Sequence, residues 1–457
     1  MKCKYFLALA ATVLLSNGVA AQETRGYSLE DLYRLAETEN RQLKVSRAGV
    51  EVSAEDLKSA RSARLPDVNM ELSGSYIVNA QLMSRSFSRS GSSTVIVPGL
   101  GPQSVANGKQ DTPHWGNSFT AQAAQVVYSG GAIGSSIKIA ELGLEIAKLD
   151  VDKNRQEVRF LITGYALDIY NLENQASVVE KNIELTRQII QNMRARHSQG
   201  TVLENDITRY ELELKTLELS HRKLADAMEI ANYQLATALN LPTDSTIHID
   251  KRDMERSYNN VAAANPESDW HKLAELDNIS LKQAALGVKV SEQGIRQARS
   301  SFLPSVSLIA ENNLAGPYTN DLIPVNSNVN VWFVGVGVKY NLGSIWTNKH
   351  PVRKAKAKSV KATEELQQAK EAVGEGVHAC YVNLTTSFAE VGTQEKNVEL
   401  ADQNYSVVKN RYDNGLALLT ELLDASNTKL SAERALVNAR ISLLYNYFKL
   451  KYMTSNL

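Results

Sequence analysis

The chain has 457 residues, 43% of them hydrophobic and 22% charged, with 50 basic against 50 acidic side chains. That length leaves room for two or three domains. A formal charge of zero without long single-sign blocks gives no pull toward a polyanion, so nucleic acid is not an expected partner.

Residues 1–21 read as a cleaved secretory signal peptide. Lys2 and Lys4 form a positive start, Tyr5 to Leu15 is almost wholly apolar, and Val19-Ala20-Ala21 offers the small residues a signal peptidase takes. The apolar run is too short to span a bilayer. Cys3 precedes that run, which argues against a lipid anchor. Cys380 is then the one cysteine of the exported chain, and no intrachain disulfide is expected. No later stretch reaches the roughly 18 apolar residues of a transmembrane helix, so entry into a membrane requires strands closed into a barrel.

An internal repeat organises the remainder. Leu35 to Val68 matches Leu273 to Val306 at a constant offset, Pro66 falling on Pro304, Asn40 on Asn278, and Ala60-Arg61-Ser62 on Ala298-Arg299-Ser300. Further on, Glu180-Lys181-Asn182 matches Glu395-Lys396-Asn397, and Gly200 falls on Gly415. The chain divides into repeats at 22–262 and 263–457.

Ser28 and Asp31 open a helix that runs to Leu65 and stops at Pro66. The period then changes to two, predicting strands at about 67–79 and 114–128, with Val68, Met70, Leu72 and Tyr76 on one face. Met83 to Thr112, rich in Ser, Gly and Pro, is expected to be an external loop. A helical hairpin follows over about 129–240 and turns at Gly200. The second repeat predicts strands at about 305–315 and 329–341, the latter striped by Trp332, Val334, Val336, Val338 and Tyr340. Its helical hairpin covers about 344–455 and turns at Gly415. Residues 244–266, between the halves, say little. Helices of nearly 70 residues far exceed the globular mean and must pack side by side as coiled coils. The fold class is mostly α with a transmembrane β-barrel. Four strands per chain cannot close a channel-sized barrel, so several copies must combine. On periodicity alone, an ordinary antiparallel sheet packed on helices stays open.

The seven histidines show no HExxH spacing, and neither a G-x-S-x-G elbow nor a P-loop is present. No catalytic residue, metal or cofactor is expected. Arg353, Lys354, Lys356 and Lys358, followed by Lys361, form a basic patch just past the last strand; lipid headgroup contact and a plain solvated face are both open there.

Taken in order, the paired prolines Pro66 and Pro304, Tyr128-Ser129-Gly130-Gly131 after the second strand, and the turns at Gly200 and Gly415 resemble the TolC-like outer membrane efflux family. The resemblance covers essentially the whole exported chain. It implies a homotrimer in the outer membrane with a twelve-stranded barrel and a helical tunnel reaching across the periplasm. The expected partners are a periplasmic adaptor (membrane fusion) protein and an inner-membrane transporter. The implied function is a passive exit duct for efflux or type I secretion, gated at the periplasmic helix tips. Carried over residue by residue, Glu421 and Asp424 take the acidic positions of the aperture. Asp206 and Tyr412 take those of the gate latch, while Ala417 stands where the family has an arginine. A structural or adhesive coiled-coil envelope protein without channel activity is the alternative, and the transported substrate stays open.

Overall fold

The computed structural model describes residues 26–76, 94–97, 101–104, 114–242, 245–261, 265–316 and 327–457. The expected signal segment 1–21 and strand residues 77–79 lie outside them. In chain order the first half holds α1 (Leu29–Glu39), α2 (Arg41–Ser62), β1 (Asp67–Tyr76), β2 (Thr94–Val97), β3 (Gly101–Ser104), β4 (Trp115–Tyr128), α3 (Ala132–His197) and α4 (Glu204–Ala238). Then come α5 (Lys251–Val261), α6 (Glu267–Asp277), α7 (Ile279–Ser300), β5 (Ser305–Gly316), β6 (Val329–Lys339), α8 (Ser344–Thr347), α9 (Lys349–Asp413) and α10 (Leu419–Met453). Among the described residues, no helix is long and apolar enough to cross a membrane. Two compact units result. One gathers the chain up to Gly49 with Ala147–Gln283 and Gln367–Leu457, and the other holds Val50–Ile146 and Ala284–Leu366.

Helix lengths repeat along the chain. α1 and α6 have 11 residues each, α2 and α7 have 22 each, α4 and α10 have 35 each, and α3 and α9 have 66 and 65. At 1.5 Å per residue the longest is roughly 100 Å.

The sequence pattern predicts one helix from Ser28 to Leu65, whereas the structure breaks it at Asn40, whose backbone is extended (φ −61°, ψ 131°). The asparagine side chain supplies the reason. Its carbonyl oxygen accepts from Gln42 N at 2.9 Å and Leu43 N at 3.3 Å, capping α2, and its amide donates to Ala238 O at 2.8 Å. Asn278 does the same in the second repeat, accepting from Leu281 N and donating to Met453 O at 2.8 Å. Each residue starts one helix and fastens it to the far end of its repeat's return helix. Both are buried. Asn40→Ala or Asn278→Ala should each cost roughly 1–3 kcal/mol, since a cap and a buried carbonyl both lose their partner. A fall in the denaturant midpoint with the m-value unchanged checks this.

Residues 245–261, opaque in the sequence, form α5 and a short pairing of Tyr27 with Ile249. Met254 and Val261 are fully buried in the core of the first unit. Asp253 accepts from Leu29 N at 3.0 Å and so caps α1 from across the chain. That core joins Leu32, Ile162, Leu235, Leu384 and Leu443, bringing apolar faces of both hairpins together. On its flank Glu267 of α6 accepts from His378 of α9 at 2.7 Å and lies 3.3 Å from His271. The bond to His378 holds the Glu267 carboxyl below the usual range. A depressed carboxylate adds stability above its unfolded pKa of about 4.3, and that share fades as pH falls through the folded value. Glu267→Gln should therefore melt below wild type at pH 6, with the gap closing below about pH 4.

The second unit contains a four-stranded antiparallel sheet in the order β1-β4-β5-β6. Its register places Val68, Met70 and Leu72 beside Ala123, Ala121 and Phe119, then Ala310, Asn312 and Leu314, then Val334, Trp332 and Asn330. One face is thus mainly apolar, and very open: Leu72 is 80% and Val334 83% exposed. The opposite face carries Asp67, Asn69, Glu71, Gln122, Thr120, Glu311 and Asn313. β6 departs from this, putting Gly335, Gly337 and Phe333 on that face. Within the expected structureless loop 83–112, β2 and β3 pair as a short antiparallel ladder. Four residues a side is too short a run for periodicity to announce.

Candidate functional site

The two hairpin turns are built alike. Each long helix ends in a glycine with left-handed backbone, Gly200 at φ +72° and Gly415 at φ +73°. The next residue closes the turn backwards: Thr201 N donates to Arg196 O at 3.1 Å and Leu416 N to Arg411 O at 2.7 Å. Only glycine adopts this cap without steric cost. The third residues of the return helices, Asp206 in α4 and Glu421 in α10, occupy equivalent places in the two repeats.

An apolar cluster holds the two turns together. Ile189, Ile190 and Met193 of α3 and Ile207 and Tyr210 of α4 pack with Tyr405 of α9 and Leu419 and Leu422 of α10. Tyr412, half-buried, packs on its edge. The Arg196 guanidinium lies 5.7 Å from the Tyr412 ring centroid, a cation–π contact from one hairpin to the other. Burial pushes the Tyr412 phenol up; Arg196 opposes this, while the charges of Asp206 and Asp413 add to it. Asp206 and Tyr412, separated by more than 200 residues, are thus close enough to sense each other. Sequence reading missed Arg196, although it falls on Arg411 in the repeat alignment. It also missed Tyr210 and Tyr405, whose buried hydroxyls have no hydrogen-bond partner among the described residues.

The two acidic aperture residues differ in their surroundings. Glu421 accepts from Leu418 N at 3.3 Å and lies 3.7 Å from Arg411, so its carboxylate caps the start of its own helix. Asp424, one turn on, is exposed and makes no ion pair among the described residues. The Ala417 side chain is half-buried and brings no charge to the turn. In the second unit Arg353, Lys354, Lys356 and Lys358 are all exposed on the first turns of α9, also without ion pairs among the described residues. Exposed Leu342, Ile345 and Trp346 precede them.

Residues 32–241 and 270–454 match the family described as outer membrane efflux protein. The chain belongs to that family. Among curated relatives, this outer membrane efflux protein is 21% identical over 443 residues to the outer membrane efflux protein BepC of Brucella suis, covering 94% of this chain and 86% of BepC. It is 28% identical over 191 residues to outer membrane protein TolC of Salmonella enteritidis, a match spanning 41% of this chain and 39% of TolC. Its fold is that of the crystal structure of the outer membrane protein VceC from Vibrio cholerae, with a TM-score of 0.73, 15% identity, and coverage of 93% and 96% of the two chains. The family is one of outer-membrane efflux proteins, and this chain is accordingly placed in the cell outer membrane.

Proposed function

We propose that the chain is the exit duct of an efflux or type I secretion assembly, conducting solutes passively from the periplasm or an inner-membrane pump to the exterior. The sheet carries this reading. Its two faces have opposite chemistry, and its edge strands β1 and β6 have no partner among the described residues. In lipid, unpaired edges must be satisfied by strands. With four antiparallel strands, β1 and β6 run in opposite senses, so β6 of one copy meets β1 of the next antiparallel. A ring of copies closes with the apolar face on lipid and the polar face on water. Three copies give about twelve strands, the homotrimer the resemblance implies. Repeats at 22–262 and 263–457 each supply two strands of the sheet and one long helical hairpin to this duct.

The tips form the entrance in this reading. Asp206 and Tyr412 act as the latch, with Arg196 supplying the cation that Ala417 lacks. Glu421 and Asp424 line the aperture in rings, Asp424 presenting the freer carboxylate. The basic start of α9, at Arg353, Lys354, Lys356 and Lys358, meets headgroups of outer-membrane lipid. A periplasmic adaptor and an inner-membrane transporter complete the assembly.

Outer-membrane fractionation with unheated gel electrophoresis tests the duct. A trimer in the outer-membrane fraction that dissociates only on heating is expected. A folded monomer in the soluble periplasmic fraction would instead point to an envelope protein without a channel.

A further inference from the structure

The end of the sheet where β4 leaves and β5 enters is ringed by exposed apolar side chains. Leu65 and Leu303 precede β1 and β5, Tyr128 ends β4, and Tyr340, Leu342 and Trp346 follow β6. Aromatic residues at a strand end mark the headgroup level of a bilayer. Directly beside this ring, the Gly130-Gly131 turn, the start of α3 and the end of α7 enclose a groove of about 550 Å³. Lys138, Gln293, Arg296 and Arg299 line it, and no carboxylate does.

The charges in this groove are unequally committed. Lys138 lies 3.1 Å from Glu141, which Arg61 also approaches at 3.2 Å. Arg296 and Arg299, one turn apart on α7 and both exposed, make no ion pair among the described residues. Glu292, on the same helix, is not paired with either. The walls are fixed against each other. Gln297 donates to Ser136 at 2.9 Å, and Gly130 packs so tightly on Ser300 and Leu303 that an added Cβ would fall 2.6 Å from Ser300 O. Two arginine forks lining one groove at headgroup depth match the two non-bridging oxygens of a phosphodiester, which guanidinium binds bidentately.

We propose that this groove seats the phosphate of an anionic glycerophospholipid from the inner leaflet, its acyl chains lying along the apolar sheet face. The proposal rests on the outer-membrane placement but not on conduction. It concerns residues other than the basic start of α9.

Native mass spectrometry of the purified trimer, titrated with phosphatidylglycerol, measures the site. Arg296→Gln/Arg299→Gln should weaken lipid retention about tenfold, and Arg296→Lys/Arg299→Lys should restore only part of it, because lysine keeps the charge but not the fork. Retention unchanged in the glutamine variant would overturn the proposal. Phenylglyoxal labelling of Arg296 and Arg299 in wild-type trimer, read by peptide mass, needs no variant to fold. Phosphatidylglycerol should protect both arginines, while phosphatidylcholine and millimolar inorganic phosphate should not. Equal protection by inorganic phosphate would make free phosphate the ligand and overturn the lipid assignment. Single-channel current from the same preparation reads the duct separately.

Discussion

Asp206→Ala combined with Tyr412→Leu, which removes the ring under Arg196 and keeps an apolar side chain, should raise the current through single channels several-fold, with little change in trimer stability. The two side chains sit at the seam between the hairpin turns, where the apolar cluster already supplies most of the cohesion. Arg196 over the Tyr412 ring is a contact that holds one hairpin against the other, and the charge of Asp206 bears on the same phenol. A partly buried contact of this kind contributes about 1–2 kcal/mol, which shifts an open-to-closed ratio roughly tenfold. Arg196→Gln should act in the same direction with a smaller effect, because it leaves Asp206 and Tyr412 in place. A double variant that conducts no better than wild type would remove these residues from the latch.

A second large effect is expected at the aperture. Asp424→Asn should abolish most of the cation selectivity and weaken block by multivalent cations roughly tenfold or more, since each copy in the ring loses its uncommitted carboxylate. Glu421→Gln should do less to selectivity and more to the tip's stability. Its carboxylate is engaged at the backbone of Leu418 and faces Arg411. Reversal potentials in a salt gradient separate the two variants. Equal loss of selectivity in both would show that the Arg411 contact does not distinguish them.

The parts of the fold that obey a short period were legible in the sequence. Alternation of Val68, Met70 and Leu72 gave the apolar face of β1, and Trp332 to Val338 gave that of β6, because side chains in a strand repeat every two residues. The turns were legible too, since Gly200 and Gly415 are where a left-handed cap must fall. What sequence reasoning missed depends on distant partners. Nothing near Asn40 announces a helix break; the carbonyl that holds its side chain belongs to Ala238. The helix α5 is short and polar, secured by Met254 in the core and by Asp253 on the backbone of Leu29. Arg196 reaches Tyr412 only because two separate turns are brought to one end of the hairpins. The acidic and latch positions follow from resemblance, whereas their unequal surroundings are set by the fold of the two turns. The difference between Glu421 and Asp424 is the clearest case, because both are carboxylates on one helical face and only one has the helix start to cap.

Single-channel recording in a planar bilayer, with purified heat-dissociable trimer added to one side, tests the duct most directly. Discrete, cation-selective current steps are expected, small in wild type and several-fold larger in the Asp206→Ala/Tyr412→Leu variant. Correctly folded trimers that insert and carry no current, in both wild type and variant, would contradict a duct.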